Sequence, residues 1–175
     1  TESNTIKIYI TGGSQGSHYL NTILPTCFKN NKFEFEVRHQ CGIGKKDGVS
    51  NLYKEAGINH EVEEFFDDPS EQIAWSDYVI CRSGALTISE VSSMSKGALM
   101  IPLPHAIDNH QFHNAKHIMN IELGLIHQEK NGIQALKNLL DKINEEKLYK
   151  EWQNQDNHKH FQASDHIADD IIENI

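Results

Sequence analysis

The stretch GGSQGS at residues 12–17 follows a β-branched run and precedes a helix-like segment. Gly12-x-Ser14-x-Gly16 has the spacing of the nucleophile elbow of serine hydrolases, but that elbow follows a central strand and needs an upstream oxyanion amide. Here only eleven residues precede the motif, so a nucleophilic role for Ser14 is disfavoured. Two interpretations remain: a structural Gly-rich turn, or a turn whose backbone approaches a ligand with the Ser14 hydroxyl aimed at it.

A dinucleotide-binding turn of the dehydrogenase type is also disfavoured. The glycines are spaced G-G-x-x-G instead of G-x-G-x-x-G, and the second strand ends in Arg38, His39 and Gln40. A dehydrogenase would carry an acidic residue there to hold a ribose.

The segment CRSGALTISE at residues 81–90 has the features of an anion site. Ser83 is a predicted N-cap, and Gly84 and Ala85 leave the first helical turn bare, so its amides and the helix dipole favour a phosphate. Glu90 lies about 10 Å further along the same face, where its carboxylate could accept hydrogen bonds from sugar hydroxyls. The alternative is an ordinary capped helix with a solvated glutamate.

A third polar group lies in PLPHAIDNHQFHNA, residues 102–115. Asp108 is the predicted helix cap, and His110, Gln111 and Asn114 share one helix face, where they could hydrogen-bond several hydroxyls. A zinc site is the competing hypothesis, because His113 and His117 are spaced i, i+4. A hydrolytic zinc helix would have Glu at position 114, and no third ligand is evident, so surface histidines are the simpler interpretation.

The segment EFFDDPSEQIAW, residues 64–75, carries two adjacent aspartates before a proline. Asp67 and Asp68 could mark a divalent-cation site, but a strand end followed by a capped helix explains them better. The backbone at Phe66 would then border the pocket and could read a planar base with its N–H and C=O groups.

The elements that must position these groups alternate in type. Strands are predicted at residues 5–11, 33–39, 61–66, 77–81, 97–102 and 123–128, and helical stretches lie between them. This alternation predicts βαβ units in an α/β fold: a doubly wound, six-stranded parallel sheet covered on both faces. Helices are expected from about residue 147, with a polar loop at 153–164 and a last helix after it. Ligands of such sheets bind beyond the carboxyl ends of the strands.

Composition narrows the function classes. The chain of 175 residues is long enough for one domain, and a net charge of −9 argues against nucleic acid as a partner. Three scattered cysteines, Cys27, Cys41 and Cys81, fit neither a zinc nor a disulfide framework and indicate reduced, buried thiols in the cytoplasm. No signal peptide or membrane span is visible. The chain lacks an initial Met, so we expect a piece of a longer protein.

Together, GGSQGS, FFDD, CRSGALTISE and HAIDNHQFHNA resemble, in order and spacing, the C-terminal half of the MurG family of peptidoglycan glycosyltransferases. The resemblance runs over nearly the whole chain, including QASDHIADDIIENI. It implies a Rossmann-like half of a GT-B fold that forms a single donor-binding domain over residues 1–175. Its last helix, about 164–174, would pack toward an N-terminal domain that this chain lacks.

The resemblance also implies a site for the donor UDP-N-acetylglucosamine, with no metal or other cofactor. Ser14 would contact the donor, the Phe66 backbone the uracil, and Glu90 the ribose. The predicted substrate-binding set is Ser14, Phe66, Ala85, Leu86, Thr87, Ile88, Ser89, Glu90, His110, Gln111 and Asn114. Within it, helix amides from Ala85 onward would hold the diphosphate, and Gln111 and Asn114 the sugar hydroxyls. Some relatives have Gln-Gln at His110-Gln111, which leaves the role of His110 open.

The implied activity is inverting transfer of N-acetylglucosamine to the undecaprenyl-diphosphate-linked muramyl-peptide. The general base, the acceptor site and the membrane-facing patch would belong to the N-terminal domain. The full-length enzyme would be cytoplasmic and peripheral on the inner membrane, and this chain alone would bind donor without turnover. The alternatives are the donor half of another UDP-sugar transferase and a non-catalytic nucleotide-binding module.

Overall fold

The computed structural model describes residues 4–155. Six parallel strands form one sheet in the order β3-β2-β1-β4-β5-β6, which confirms the predicted doubly wound architecture. The strands are β1 (Ile6–Thr11), β2 (Phe35–Gln40), β3 (Asn59–Glu63), β4 (Tyr78–Cys81), β5 (Ala98–Met100) and β6 (Gly124–Ile126). The helices are α1 (His18–Phe28), α2 (Lys46–Ala56), α3 (Pro69–Trp75), α4 (Ala85–Ser93), α5 (His110–Asn120), α6 (Gly132–Glu145) and α7 (Leu148–Gln153).

Alternating side chains of the central strands build two cores, one on each face of the sheet. Ile8 and Ile10 of β1 pack into the core beneath α1, α2, α6 and α7. Tyr9, between them, packs into the opposite core beneath α3, α4 and α5. Because both faces are covered, β4 and β5 are apolar and buried along their whole length, as expected for a buried parallel sheet.

The third strand differs from its predicted bounds of 61–66. It spans Asn59–Glu63, because each of its residues pairs in register with β2, whose last residue, Gln40, pairs with Glu63. Residues 64–66 leave the sheet, and there the Phe66 N–H donates to the Gln40 side chain. The aromatic run EFF therefore belongs to a loop. The predicted last helix, about 164–174, and most of the predicted loop before it lie outside the described residues.

A buried polar network ties α1, β2 and α2 together. Asn21 donates from Nδ2 to the Cys41 carbonyl at 3.0 Å, which turns its Oδ1 toward His39 Nε2 at 2.9 Å. His39 therefore carries its proton on Nε2, and its Nδ1 accepts from the Tyr53 hydroxyl at 2.8 Å. Burial lowers the pKa of His39 to about 3, so the ring is neutral at physiological pH.

The loops after β1 and β2 pack backbone to backbone at the carboxyl edge. Gly16 has a φ of +71°, and a Cβ there would overlap the Cys41 carbonyl oxygen. Gly42, with a φ of +88°, faces the Gln15 carbonyl in the same way. Glycine is required at both positions by backbone conformation and by space. The Gly-rich turn is thus held against the neighbouring loop, and Gly13, where a Cβ would meet nothing within 4 Å, stays open to solvent.

The three cysteines are free and buried, as predicted. Burial raises the pKa of Cys27 and of Cys81 to about 12, so both thiols are protonated, inert components of the cores.

Candidate functional site

The predicted site residues follow four strands and therefore lie at the carboxyl edge of the sheet. Ser14 follows β1, Phe66 follows β3, α4 follows β4, and the start of α5 follows β5. Strands β1, β4 and β5 are neighbours, whereas β3 lies beyond β2. One edge thus carries the whole predicted set, with Phe66 at one side.

The N-terminus of α4 carries no side-chain cap. Gly84, not Ser83, is the N-cap residue, and it forms no side-chain hydrogen bond with the helix. The predicted cap is wrong because Ser83 is buried and its Oγ donates to the Gln111 carbonyl at 2.6 Å. Space around Gly84 is open, since a Cβ there would meet nothing within 4 Å. The N–H groups of the first turn can therefore donate hydrogen bonds to an anion, and the helix dipole also favours negative charge there.

The predicted residues at the start of α4 differ in how exposed they are. Ala85 and Thr87 are half-buried and Leu86 is exposed. Ile88 is 1% exposed, packs in the core, and donates its N–H to the Gly84 carbonyl at 3.1 Å. The side chain and the N–H of Ile88 are thus engaged within the protein, and its contact with a donor stays a prediction.

Glu90 lies further along α4, half-buried, with Ser89 before it also half-buried. Burial raises the pKa of the Glu90 carboxyl, and the negative charge of Asp68 raises it further. An ionised carboxylate accepts hydrogen bonds only, so the half-buried Glu90 could accept them from the hydroxyls of a sugar.

The start of α5 differs from the prediction in its cap. Asn109 is the N-cap, and Asp108 adopts a left-handed conformation, with a φ of +56°, in the 3-10 turn Ile107–Asn109. Asp108 forms no helix cap, and its carboxylate lies 3.9 Å from Nε2 of the exposed His110. Asp and Asn adopt left-handed backbone more readily than other non-glycine residues, so the residue types at 108 and 109 suit this turn.

The two amide side chains of α5 already hold loops of the site. Gln111 accepts the Leu103 N–H on its Oε1 at 2.9 Å, and Asn114 donates from Nδ2 to the Ser83 carbonyl at 3.1 Å. These bonds tie α5 to the segments after β5 and β4. The Gln111 Nε2 and the Asn114 Oδ1 remain as the groups that could meet a sugar hydroxyl.

Ser14 and Gln111 line one cleft of about 740 Å³. Its walls are the Gly-rich turn, the first turns of α1, and Leu103 and Pro104. Phe66, residues 85–90, His110 and Asn114 are not among its lining residues. A larger cavity of about 850 Å³ lies at the opposite edge and contains no predicted site residue.

The segment around Phe66 forms the other side of the edge. The Phe66 ring packs edge-on against Tyr9, with ring centroids 5.9 Å apart. The Phe66 N–H donates to the Gln40 Oε1 at 3.1 Å, so it is engaged within the protein and its carbonyl is the group left for a base. The contact of the Phe66 backbone with a base stays a prediction, with the carbonyl as the group not bonded to Gln40.

Asp68 caps α3, as the simpler interpretation predicted. Its Oδ1 accepts hydrogen bonds from the Ser70 hydroxyl and, at 2.9 Å, from the Ser70 N–H. These two bonds lower the pKa of the Asp68 carboxyl. Across residues 4–155, no group of three or more His, Cys, Asp or Glu side chains is arranged to hold a metal ion.

Sequence reasoning missed Arg82, which directly follows β4. It pairs with Glu129 at 2.6 Å and donates to the carbonyls of Ile101 and Pro102 at 3.1 and 3.3 Å. Arg82 also lines the cleft that Ser14 lines, and its bonds to Ile101 and Pro102 hold the start of the loop after β5. A cation immediately after a buried strand was the signal available in the sequence. Within the same described stretch, none of the helices is long and apolar enough to cross a bilayer.

Comparison with known proteins places these features in one family. The model of the family described as "Glycosyltransferase family 28 C-terminal domain" matches residues 7–171. A protein of Vibrio vulnificus (strain CMCP6) is 41% identical over 145 residues, which are 82% of this chain and 41% of that protein. A protein of Aeromonas hydrophila is 44% identical over 110 residues, which are 63% of this chain and 30% of that protein. Both are named UDP-N-acetylglucosamine--N-acetylmuramyl-(pentapeptide) pyrophosphoryl-undecaprenol N-acetylglucosamine transferase.

Solved structures agree with these matches. The crystal structure of Acinetobacter baumannii MurG superposes with a TM-score of 0.83 at 30% identity, covering 100% of this chain and 51% of that one. The calicheamicin glycosyltransferase CalG4, at 11% identity and a TM-score of 0.63, shares the fold. The chain thus spans about half or less of the length of these relatives. Because the family model extends over nearly the whole sequence and the carboxyl-edge motifs lie within it, the chain belongs to glycosyltransferase family 28, as its C-terminal domain.

Proposed function

We propose that this chain binds UDP-N-acetylglucosamine as the donor half of the transferase that adds N-acetylglucosamine to undecaprenyl-diphosphate-linked muramyl-peptide. The observation that carries the proposal is the uncapped N-terminus of α4, with Glu90 on the same helix, in a chain 41% identical to a relative bearing that name. An exposed set of helix amides suits a diphosphate. The Glu90 carboxylate, which lies about 7.5 Å along the helix axis from Ala85, suits the ribose.

In this proposal the donor lies along the carboxyl edge. The uracil contacts the Phe66 carbonyl, the ribose hydroxyls donate to Glu90, and the diphosphate accepts from the amides of Ala85 to Thr87. The sugar is held by Gln111 and Asn114 through the amide groups not used within the protein, and Ser14 contacts the donor from the Gly-rich turn. His110, exposed on the first turn of α5, borders the sugar.

The chemistry is an inverting displacement without a covalent intermediate. The acceptor 4-hydroxyl forms a bond to C1 of the sugar while the bond from C1 to the β-phosphate oxygen breaks, and UDP leaves. The hydroxyl proton passes to a base on the N-terminal domain. The N-terminus of α4 stabilises the charge that develops on the departing diphosphate, a preorganised electrostatic contribution. No metal is required of the chain in this scheme.

Titration of the chain with UDP, UDP-N-acetylglucosamine and UDP-glucose, followed by backbone amide chemical shifts, tests the donor site. We expect shifts at residues 84–90 with all three ligands, and the tightest binding for UDP-N-acetylglucosamine. Absence of shifts there with every UDP ligand would exclude the site. Equal affinity for all three would leave a UDP site without sugar specificity, as expected for a different transferase or a nucleotide-binding module.

The remaining functions require the rest of the full-length protein. We place the base, the lipid-acceptor site and the contact with the cytoplasmic face of the inner membrane on its N-terminal domain. The 175-residue chain alone should therefore show no transfer to a lipid acceptor. Detectable transfer by the isolated chain would refute this division of roles.

A further inference from the structure

Gln40 joins the two sides of the carboxyl edge. It is the last residue of β2, the strand between β1 and β3, and it pairs in register with Thr11 of β1 and Glu63 of β3. Its side chain is 7% exposed. A buried amide at this position can reach the loops that leave both neighbouring strands.

Both ends of the Gln40 amide are engaged by those loops. Its Oε1 accepts the Phe66 N–H at 3.1 Å. Its Nε2 donates to the Gly13 carbonyl at 3.2 Å and lies 3.4 Å from the Thr11 hydroxyl, which itself accepts the Gly13 N–H at 3.1 Å. The orientation of the amide is unambiguous, because an N–H needs an acceptor at one end and a carbonyl needs a donor at the other.

We propose that Gln40 is a positioning residue that couples the Gly-rich turn carrying Ser14 to the segment at Phe66, so that the two ends of the donor site keep one geometry. The proposal rests on the function proposed above. Gln40 touches no part of the donor in this arrangement; it acts through the backbone of Gly13 and Phe66. Because it keeps the Phe66 N–H engaged, it leaves the Phe66 carbonyl as the backbone group that can accept the uracil N3–H.

The coupling can be tested first without any ligand. Gln40→Met removes both hydrogen bonds with little change in volume, and Gln40→Glu keeps an acceptor for Phe66 but, when ionised, loses the donor to Gly13. We expect hydrogen exchange of the Phe66 amide to accelerate about tenfold in Gln40→Met and to change little in Gln40→Glu. Gln134→Met, at an exposed position of α6, is the matched control and should leave Phe66 unchanged. Unaltered exchange in Gln40→Met would overturn the proposal.

Ligand titration then separates positioning from a general structural role. Uridine consists of the base and the ribose, without the diphosphate and the N-acetylglucosamine. Its binding to the wild-type chain should nevertheless shift the amides of Gly13 and Ser14 through Gln40. In Gln40→Met these two shifts should disappear, while those near Glu90 persist, and the Kd for UDP should rise about tenfold. Persistent shifts at Gly13 and Ser14 in the variant would refute the coupling. If the wild-type chain binds no uridine or UDP, the proposed function fails, and the exchange experiment still decides the contact.

Discussion

Glu90 offers the sharpest separation of binding from stability. Its carboxylate is half-buried on α4, and burial together with the charge of Asp68 raises its pKa. Hydrogen bonds from ribose hydroxyls to a charged group contribute about 1.5–3 kcal/mol, so Glu90→Ala should weaken UDP binding by about 10- to 150-fold. Isothermal titration with UDP measures the loss. Glu55→Ala, the same change at an exposed position of α2, is the control and should bind UDP normally.

Removing the Glu90 charge should weaken UDP binding without lowering the free energy of unfolding. An acid whose pKa is raised by folding binds its proton more readily in the folded state, so its contribution to stability is greatest at low pH and declines as pH rises through that pKa. At pH 7 the ionised Glu90 therefore opposes folding. Glu90→Gln, which keeps the shape and removes the charge, should not lower the free energy of unfolding in urea.

The pH dependence of binding gives an independent check. Protonation of Glu90 removes the charged acceptor, so the difference in UDP affinity between the wild-type chain and Glu90→Gln should shrink as pH falls through the raised pKa of Glu90. A Glu90→Ala variant that binds UDP within twofold of the wild type at pH 7 would refute the ribose assignment. A Glu90→Gln variant that is much less stable would show that the carboxylate is a structural group.

Three further predictions concern the Gly-rich turn, the buried His39 and the Asn114 side chain. Gly16→Ala should lower the free energy of unfolding by about 3 kcal/mol or more, because it combines left-handed strain with a clash against the next loop. Gly13→Ala has the same strain without a clash and should lower it by about 1–2 kcal/mol. Urea unfolding measures both changes. The free energy of unfolding should fall as pH drops from about 6.5 toward 3, because His39 is neutral in the folded chain and protonated in the unfolded chain. His39→Gln should reduce the slope of this free energy against pH by about 1.4 kcal/mol per pH unit. Asn114→Ala should cost about 1 kcal/mol of stability and weaken UDP-N-acetylglucosamine more than UDP, as parallel titrations would show.

The sequence alone determined the architecture and the edge of the sheet at which the predicted site residues lie. Alternating β-branched runs and helical stretches require a parallel sheet with both faces covered, and the two cores confirm it. Since the carboxyl ends of parallel strands share one edge, Ser14, Phe66, Glu90 and Gln111 had to lie at that edge once their strands were recognised. Local chemistry also sufficed for Asp68, whose cap contact lies two residues away.

Only the tertiary structure decided which groups at that edge are already engaged. The Ser83 hydroxyl bonds to Gln111, 28 residues away, and the Phe66 N–H bonds to Gln40, 26 residues away. Ser83 is a good cap by type, but a buried hydroxyl takes the partner that tertiary packing brings to it. Sequence spacing predicts contacts within a helix or turn, whereas hydrogen bonds between loops depend on strand order and register. The sequence therefore predicted which residues share this edge, whereas the hydrogen-bonding atoms left available on them follow only from the tertiary structure.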